Sequence, residues 1–282
     1  MPYANLSDAK IFYEIYGSEL RLEGDKTTSK PSLVVLHGAG IDHTYLVPFL
    51  GQCSKFSQVI FLNHRGHGRS QYADHHWNLK TWGNDVFLFC EALGIQKPFV
   101  LGVSFGGHVA MQYSILHPDH AAGLILIDTE GEVKLEDLLN AFERRGGLEI
   151  RQIAESLFKN PTPENQFAYM QKCLPLCTTK PMQTSLFKYC IQSPEVSHHY
   201  TQTEFLSGFN FIPQLKNVTS PILYLSGSSS PLHTPENARR TAASFTSQIE
   251  FKVFEKAGLV SADAQEEAIE MINSFLLKHH SA

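Results

Sequence analysis

Short, continuous apolar runs, spaced along the chain and separated by helix-like segments, constrain this sequence most. Residues 32–36 (SLVVL) are such a run, and others lie at 59–62, 98–101, 124–127 and 221–225. Residues 249–254 form a weaker one. Four or five unbroken apolar residues fit a strand buried on both faces, as in a parallel sheet. Between the runs, residues 81–93, 105–116, 235–245 and 264–278 carry apolar positions at helical spacing. Thr234 reads as an N-cap before Pro235, and Asp263 as an N-cap of the last helix. Strands alternating with helices imply βαβ crossovers and an α/β architecture: a mostly parallel central sheet with helices on both faces. The alternation breaks between residues 131 and 218, which read as several short helices punctuated by prolines. At the N-terminus, residues 2–6 and 10–16 suggest a hairpin, and the polar stretch 18–30 a surface loop.

Composition narrows the function classes. Lys and Arg total 23 against 28 Asp and Glu, a net charge of −5, so no basic face is available for nucleic acid. No apolar run approaches the ~20 residues that span a bilayer, and the N-terminus lacks the basic start and apolar core of a signal peptide. Five scattered cysteines in 282 residues read as reduced thiols of a cytoplasmic protein. The expected partner is a small molecule, with no nucleic acid and no membrane.

One motif carries chemistry. Residues 101–108 (LGVSFGGH) contain G-x-S-x-G with a strand before it and a helix after it. That context makes a nucleophile elbow, in which the glycines permit a strained turn that lifts Ser104 above the sheet. The N–H of Phe105 then stands at a helix N-terminus, where it can bind a developing oxyanion. The second donor comes from the loop after the 32–36 strand, His37-Gly38-Ala39-Gly40, with Ala39 as the candidate.

These pieces, in this order, resemble the α/β-hydrolase superfamily, and within it the proline-iminopeptidase-like, lid-bearing serine hydrolases. The resemblance rests on LHGAGIDHTY (36–45), NHRGHGRS (63–70), LGVSFGGHVAMQY (101–113), GLILIDTEG (123–131) and the final strand–helix pairs. It implies a hydrolase core of residues 1–130 and 219–282, a helical cap of residues 131–218 inserted after the sixth strand, and a substrate pocket between them. It also implies a nucleophile, an acid and a histidine in that chain order. The acid position, in Gly227-Ser228-Ser229-Ser230, holds Ser230; the base position, in Lys256-Ala257-Gly258-Leu259, holds Leu259. Asn63 stands where the loop before Arg65 commonly carries Asp.

A serine hydroxyl is a weak nucleophile until a neighbouring base takes its proton, and leucine has no lone pair. The expectation is a degenerate triad: weak or no ordinary ester or amide hydrolysis, with a site retained for a small, partly apolar ligand. A first alternative is an active hydrolase with a relocated base, His233, and Asp128 as its acid. A second is a non-catalytic partner-binding module. His37, His108, His279 and His280 are weaker base candidates by their placement. Cys173, Cys177, Cys190 and the pair His198-His199 match no common zinc spacing and read as cap packing, so no metal and no cofactor are expected. Glu195 and Glu204 are cap carboxylates of a type that could hold an amine, and cap aromatics such as Phe205 and Phe209 could line a pocket.

Overall fold

A computed structural model describes residues 2–280 apart from 24, 73–76, 183, 203–205 and 207. Glu204 and Phe205 therefore lie outside the described residues, as do His75 and His76. Among the described residues the main sheet has eight strands, and a two-stranded hairpin stands apart from it. In chain order these are β1 (Tyr3–Asn5), β2 (Lys10–Tyr16), the separate pair β3 (Leu20–Glu23) and β4 (Lys26–Ser29), then β5 (Ser32–Leu36), β6 (Gln58–Leu62), β7 (Phe99–Val103), β8 (Gly123–Ile127), β9 (Ile222–Gly227) and β10 (Ile249–Phe254). The spatial order is β1-β2-β6-β5-β7-β8-β9-β10. Pairing is antiparallel from β1 to β6 and parallel from β6 to β10. This is the α/β architecture that the apolar runs imply, and every residue of β7, β8 and β9 is buried.

Four expectations are corrected. Residues 18–30 are not a plain loop: β3 and β4 pair in register Leu20↔Ser29 to Glu23↔Lys26. Leu20 and Leu22 stay 56% and 79% exposed, so no burial pattern marks this hairpin in the sequence. The last helix runs Gln265–His279 with Ala264 at its N-cap, and Asp263 does not cap it. The Asp263 carboxylate turns instead toward residues 179–180 and 258. Helix 235–245 of the sequence reading ends earlier, at Ala242, while Thr234 does cap it through the Asn237 N–H. Helix Leu79–Leu93 starts two residues early because the Asn78 side chain caps it, and Gly94 ends it at φ 67°.

The sheet separates two apolar layers. One face packs on helices Leu79–Leu93 and Phe105–Leu116 through Trp82, Phe89, Phe105 and Val109. The other face packs on the last helix through Ile272, Phe275 and Leu276. Between β8 and β9 lie helices Leu135–Gly146, Leu148–Lys159, Pro163–Lys172 and Pro194–Thr201, with no strand of the sheet among the described residues. This insertion has its own core, including Leu139, Phe142, Ala154 and Cys177, and Leu232 and Leu259 from the loops after β9 and β10 pack into it. The five cysteines are free thiols. Cys173 and Cys177 direct their sulfurs at the carbonyls of Ile150 and Cys173, as packed helix residues do. No helix among the described residues is long and apolar enough to cross a membrane.

The loop 63–70 is fixed by a buried ion-pair cluster. The Arg65 guanidinium donates two hydrogen bonds to Asp85 and two to Asp8, all within 2.8–2.9 Å. Trp82 Nε1 donates to the Arg65 carbonyl. In the same region three buried imidazoles, His37, His64 and His67, pack tilted or edge-to-face on one another, and His64 and His67 pack on Phe105. Burial holds all three below the ordinary histidine pKa, His67 at about 4. The unfolded chain takes up these protons below about pH 6.5, whereas the folded protein refuses them. Stability is therefore complete above pH 6.5 and falls as the pH drops toward 4, by up to ~1.4 kcal/mol per pH unit for each imidazole. Urea unfolding between pH 7.5 and 4.5 should show this loss, and His67→Phe should make it shallower. A stability independent of pH over that range would contradict the assignment.

Candidate active site

The turn from β7 into helix Phe105–Leu116 puts Ser104 at φ 54°, ψ −118°. A non-glycine residue pays steric strain there, and such strain persists only where the surroundings over-determine it. Two glycines let this happen. A Cβ on Gly102 would run into the Gly106 carbonyl, and a Cβ on Gly106 into the Leu36 carbonyl. The helix thus presses onto β5 and β7 with its N-terminus against the 37–40 loop. Ser104 remains partly exposed.

The loop 37–40 is equally determined. His37 Nδ1 donates to the Gly38 carbonyl at 2.7 Å, and His37 Nε2 accepts the His64 N–H at 3.1 Å. Both ring nitrogens are consumed, so His37 shapes the loop and is no base for Ser104. The Gly38 N–H is taken by the Tyr45 hydroxyl at 2.9 Å. The N–H groups of Ala39 and Phe105 donate to no described residue, which leaves them available to an oxyanion. Asn63 pairs with His43 Nδ1 at 2.7 Å and accepts the Arg69 N–H, so the amide at this position braces the neighbouring loop.

Ser230 and Leu259, at the positions where the resemblance implies an acid and a base, make backbone and packing contacts. Ser230 is buried, and its hydroxyl accepts the Leu232 N–H at 3.2 Å. Leu259 packs its side chain into the core of the insertion and donates its N–H to the Cys177 carbonyl at 2.9 Å. Asp128, at φ 49°, is fully used: Oδ1 accepts the Val260 N–H at 3.0 Å, and Oδ2 accepts the Ser261 N–H and hydroxyl, each at 3.2 Å. Burial pushes its pKa up, with His233 opposing that shift. Among the described residues, no hydrogen bond joins Asp128 to an imidazole. His233 sits with Nδ1 3.8 Å from Glu130 Oε1. His108 shares a hydrogen bond with the Tyr200 hydroxyl at 3.0 Å. His279 packs on Phe275, and His280 reaches the Ser29 carbonyl. Among the described residues, no imidazole hydrogen-bonds the Ser104 hydroxyl. The structure therefore places Phe105 directly after Ser104 at the helix N-terminus, against the start of the loop that carries Ala39, and among the described residues it does not join His233 and Asp128 to Ser104 as a hydrogen-bonded relay.

A second set of residues, which sequence reasoning did not find, holds the base loop against the insertion. The Asp263 carboxylate accepts the N–H groups of Gly258, Thr179 and Lys180 at 2.7–3.1 Å, and the Thr179 hydroxyl as well. Lys180 Nζ donates to the Asp263 carbonyl at 2.8 Å. A Cβ on Gly258 would collide with the Cys177 carbonyl, so only glycine allows this approach. A surface cavity of about 670 Å³ lies on this side, against Thr179, Lys180, Lys252, Lys256 and Glu266. A second, of about 380 Å³, lies on the outside of the insertion against Gln152, Glu155 and Asn165. Ser104 lines neither.

The comparisons with known proteins agree with this geometry. Residues 31–261 match the family described as alpha/beta hydrolase fold. A proline iminopeptidase of Lactobacillus helveticus is 25% identical over 293 residues, covering 96% of this chain and 98% of its own. The solved proline iminopeptidase of Mycobacterium smegmatis superposes with a TM-score of 0.78 at 18% identity, over 99% of this chain and 98% of the other. A thermophilic esterase of Thermogutta terrifontis gives 0.74 at 21% identity, over 99% of both chains.

The clasp at Asp263 generates a prediction. Asp263→Ala leaves three backbone N–H groups without their acceptor, at ~1–3 kcal/mol for each one kept from water. The variant should lose about 2–4 kcal/mol in urea unfolding. Limited proteolysis should cut it faster between residues 177 and 182. Parent-like stability and protection would show that the clasp is not holding the loop.

Proposed function

Because the chain belongs to the α/β-hydrolase fold family, we propose that it derives from serine hydrolases of the ester and amide class and retains their nucleophile position without their proton relay. Ser104 is the nucleophile position in this reading, and the Phe105 and Ala39 amides form its oxyanion hole. Ser230 and Leu259 mark the lost acid and base, and residues 131–218 act as the cap over a site for a small, partly apolar ligand. One observation carries the reading: Ser104 stands at a strained, partly exposed elbow, and among the described residues no imidazole is hydrogen-bonded to its hydroxyl. The kinship of the chain to proline iminopeptidases and an esterase supports the ester and amide class.

Magnitudes decide what such a site can do. In serine proteases, loss of nucleophile or base removes on the order of 10⁶ in rate, or ~8 kcal/mol of barrier. The oxyanion hole and binding alone leave roughly 10³–10⁴ over water. Turnover of p-nitrophenyl butyrate and of aminoacyl arylamides should therefore fall at least about a thousandfold below the ~10 s⁻¹ typical of enzymes. Ordinary turnover that Ser104→Ala abolishes would overturn the proposal.

The second reading keeps a working base. His233 is buried near Asp128 and bears on that carboxylate electrostatically. If His233 serves Ser104, His233→Ala should abolish whatever esterase activity Ser104→Ala abolishes. If the first reading holds, His233→Ala leaves the residual rate within about threefold, since no relay is broken. Introducing Ser230→Asp and Leu259→His together should raise ester hydrolysis at least about tenfold over the parent, and each change alone should do less, because relay members act as a unit. A folded double variant with no gain would show that more than two side chains separate this site from an active one.

A further inference from the structure

One step beyond the Ser104 turn lies a cluster of buried polar groups that the acyl-transfer reading does not use. Thr129 and Glu130 directly follow β8, and they are 0% and 2% exposed. His108 extends from the helix that begins at Phe105, and it is 1% exposed. His233, 7% exposed, comes from the loop after β9. Tyr200 reaches in from the insertion to hydrogen-bond His108 Nδ1. The groups share one neighbourhood: His233 faces Glu130 at 3.8 Å, Thr129 packs against Gly107, and His108 and His233 interact electrostatically, as do Glu130 and Tyr200.

Four of their polar atoms are buried without a hydrogen-bond partner among the described residues: Glu130 Oε2, Thr129 Oγ1, His108 Nε2 and His233 Nδ1. Buried polar groups are normally satisfied, and an unsatisfied carboxylate oxygen is among the most expensive exceptions. Among the described residues no Lys or Arg lies within 4.0 Å of Glu130, and His233 is its sole ion-pair neighbour. The cluster is rich in acceptors. Burial keeps His108 neutral, its pKa at about 3. Its bond with the Tyr200 hydroxyl fits either tautomer, and the one that protonates Nδ1 leaves Nε2 with a lone pair. An anion would be repelled by Glu130. No group of three His, Cys, Asp or Glu among the described residues is arranged for a metal ion.

We propose that Glu130, Thr129 and His108, with His108 in the tautomer that donates its Nδ1–H to Tyr200, form a binding site for a protonated amine, with a primary ammonium group donating its three N–H bonds to Glu130 Oε2, Thr129 Oγ1 and His108 Nε2. A primary ammonium carries three donors and one positive charge, which matches three acceptors of which one is anionic. The aromatic rings beside His108, those of Phe209 and Tyr200, suit the same cation. The site does not depend on acyl transfer at Ser104, and it stands whether that serine is active or dormant.

The test is a titration of the full-length protein with n-butylammonium chloride, read by imidazole ¹⁵N resonances and by the thermal midpoint. The parent should show saturable shifts at His108 and His233 and a raised midpoint. 1-Butanol at equal concentration, with one donor and no charge, should give neither. Glu130→Gln should weaken the amine at least about tenfold, the scale of a hydrogen bond to a charged group. Glu132→Gln, which removes a nearby carboxylate paired with Arg240, should leave binding unchanged. Equal effects of amine and alcohol, an absence of saturable shifts, or undiminished binding by Glu130→Gln would each overturn the proposal. Should Glu130→Gln fail to fold, the comparison of amine with alcohol on the parent decides.

Discussion

The loop that follows β10 is gripped from two sides by buried carboxylates, and the character of the site follows from that grip. From the sheet, Asp128 accepts the N–H groups of Val260 and Ser261. From the loop itself, Asp263 accepts the N–H groups of Gly258, Thr179 and Lys180 and so draws the insertion down onto it. Each bond to a charged acceptor contributes ~1.5–3 kcal/mol. Leu259 lies between the two anchors with its side chain in the apolar core of the insertion. Asp128 is engaged by the N–H groups of Val260 and Ser261 and by the Ser261 hydroxyl.

The segments around Ser104 are held by buried contacts. The Arg65 cluster with Asp8 and Asp85 fixes the loop beneath Phe105. The His37–His64 pair fixes the loop that carries Ala39. Strain at Ser104 is held in place by glycines 102 and 106, which leave no room for side chains. The amides of Ala39 and Phe105 and the partly exposed Ser104 are positioned by the backbone of the fold. A proton relay depends instead on individual side chains at loop positions. In the proposed reading, that difference lets one be lost while the other persists.

The sequence was readable where burial dictates residue type. The five apolar runs became β5 to β9, and the G-x-S-x-G turn fell between β7 and its helix. It was unreadable where a short contact acts over a long separation. The Asp263 clasp joins residues 84 positions apart, and a lone Asp before a helix looks the same as an N-cap. The β3–β4 hairpin buries little, so its leucines carry no periodic signal. Glu130, in the stretch IDTEG, is one acidic residue after a strand, and only its burial beside His108 and His233 distinguishes it. Asp128 could be read as acid or as strand-end brace, and its bonds are those of a brace.

The central claim is that the Ser104 hydroxyl lacks a base. The rate at which a fluorophosphonate labels Ser104, followed by intact mass and peptide mapping across pH 5–10, measures this most directly. Without a relay, labelling should be slow and should rise steadily with hydroxide concentration, with no plateau near neutrality. Rapid stoichiometric labelling with a titration midpoint between about pH 6 and 7, the signature of an imidazole, would contradict the account.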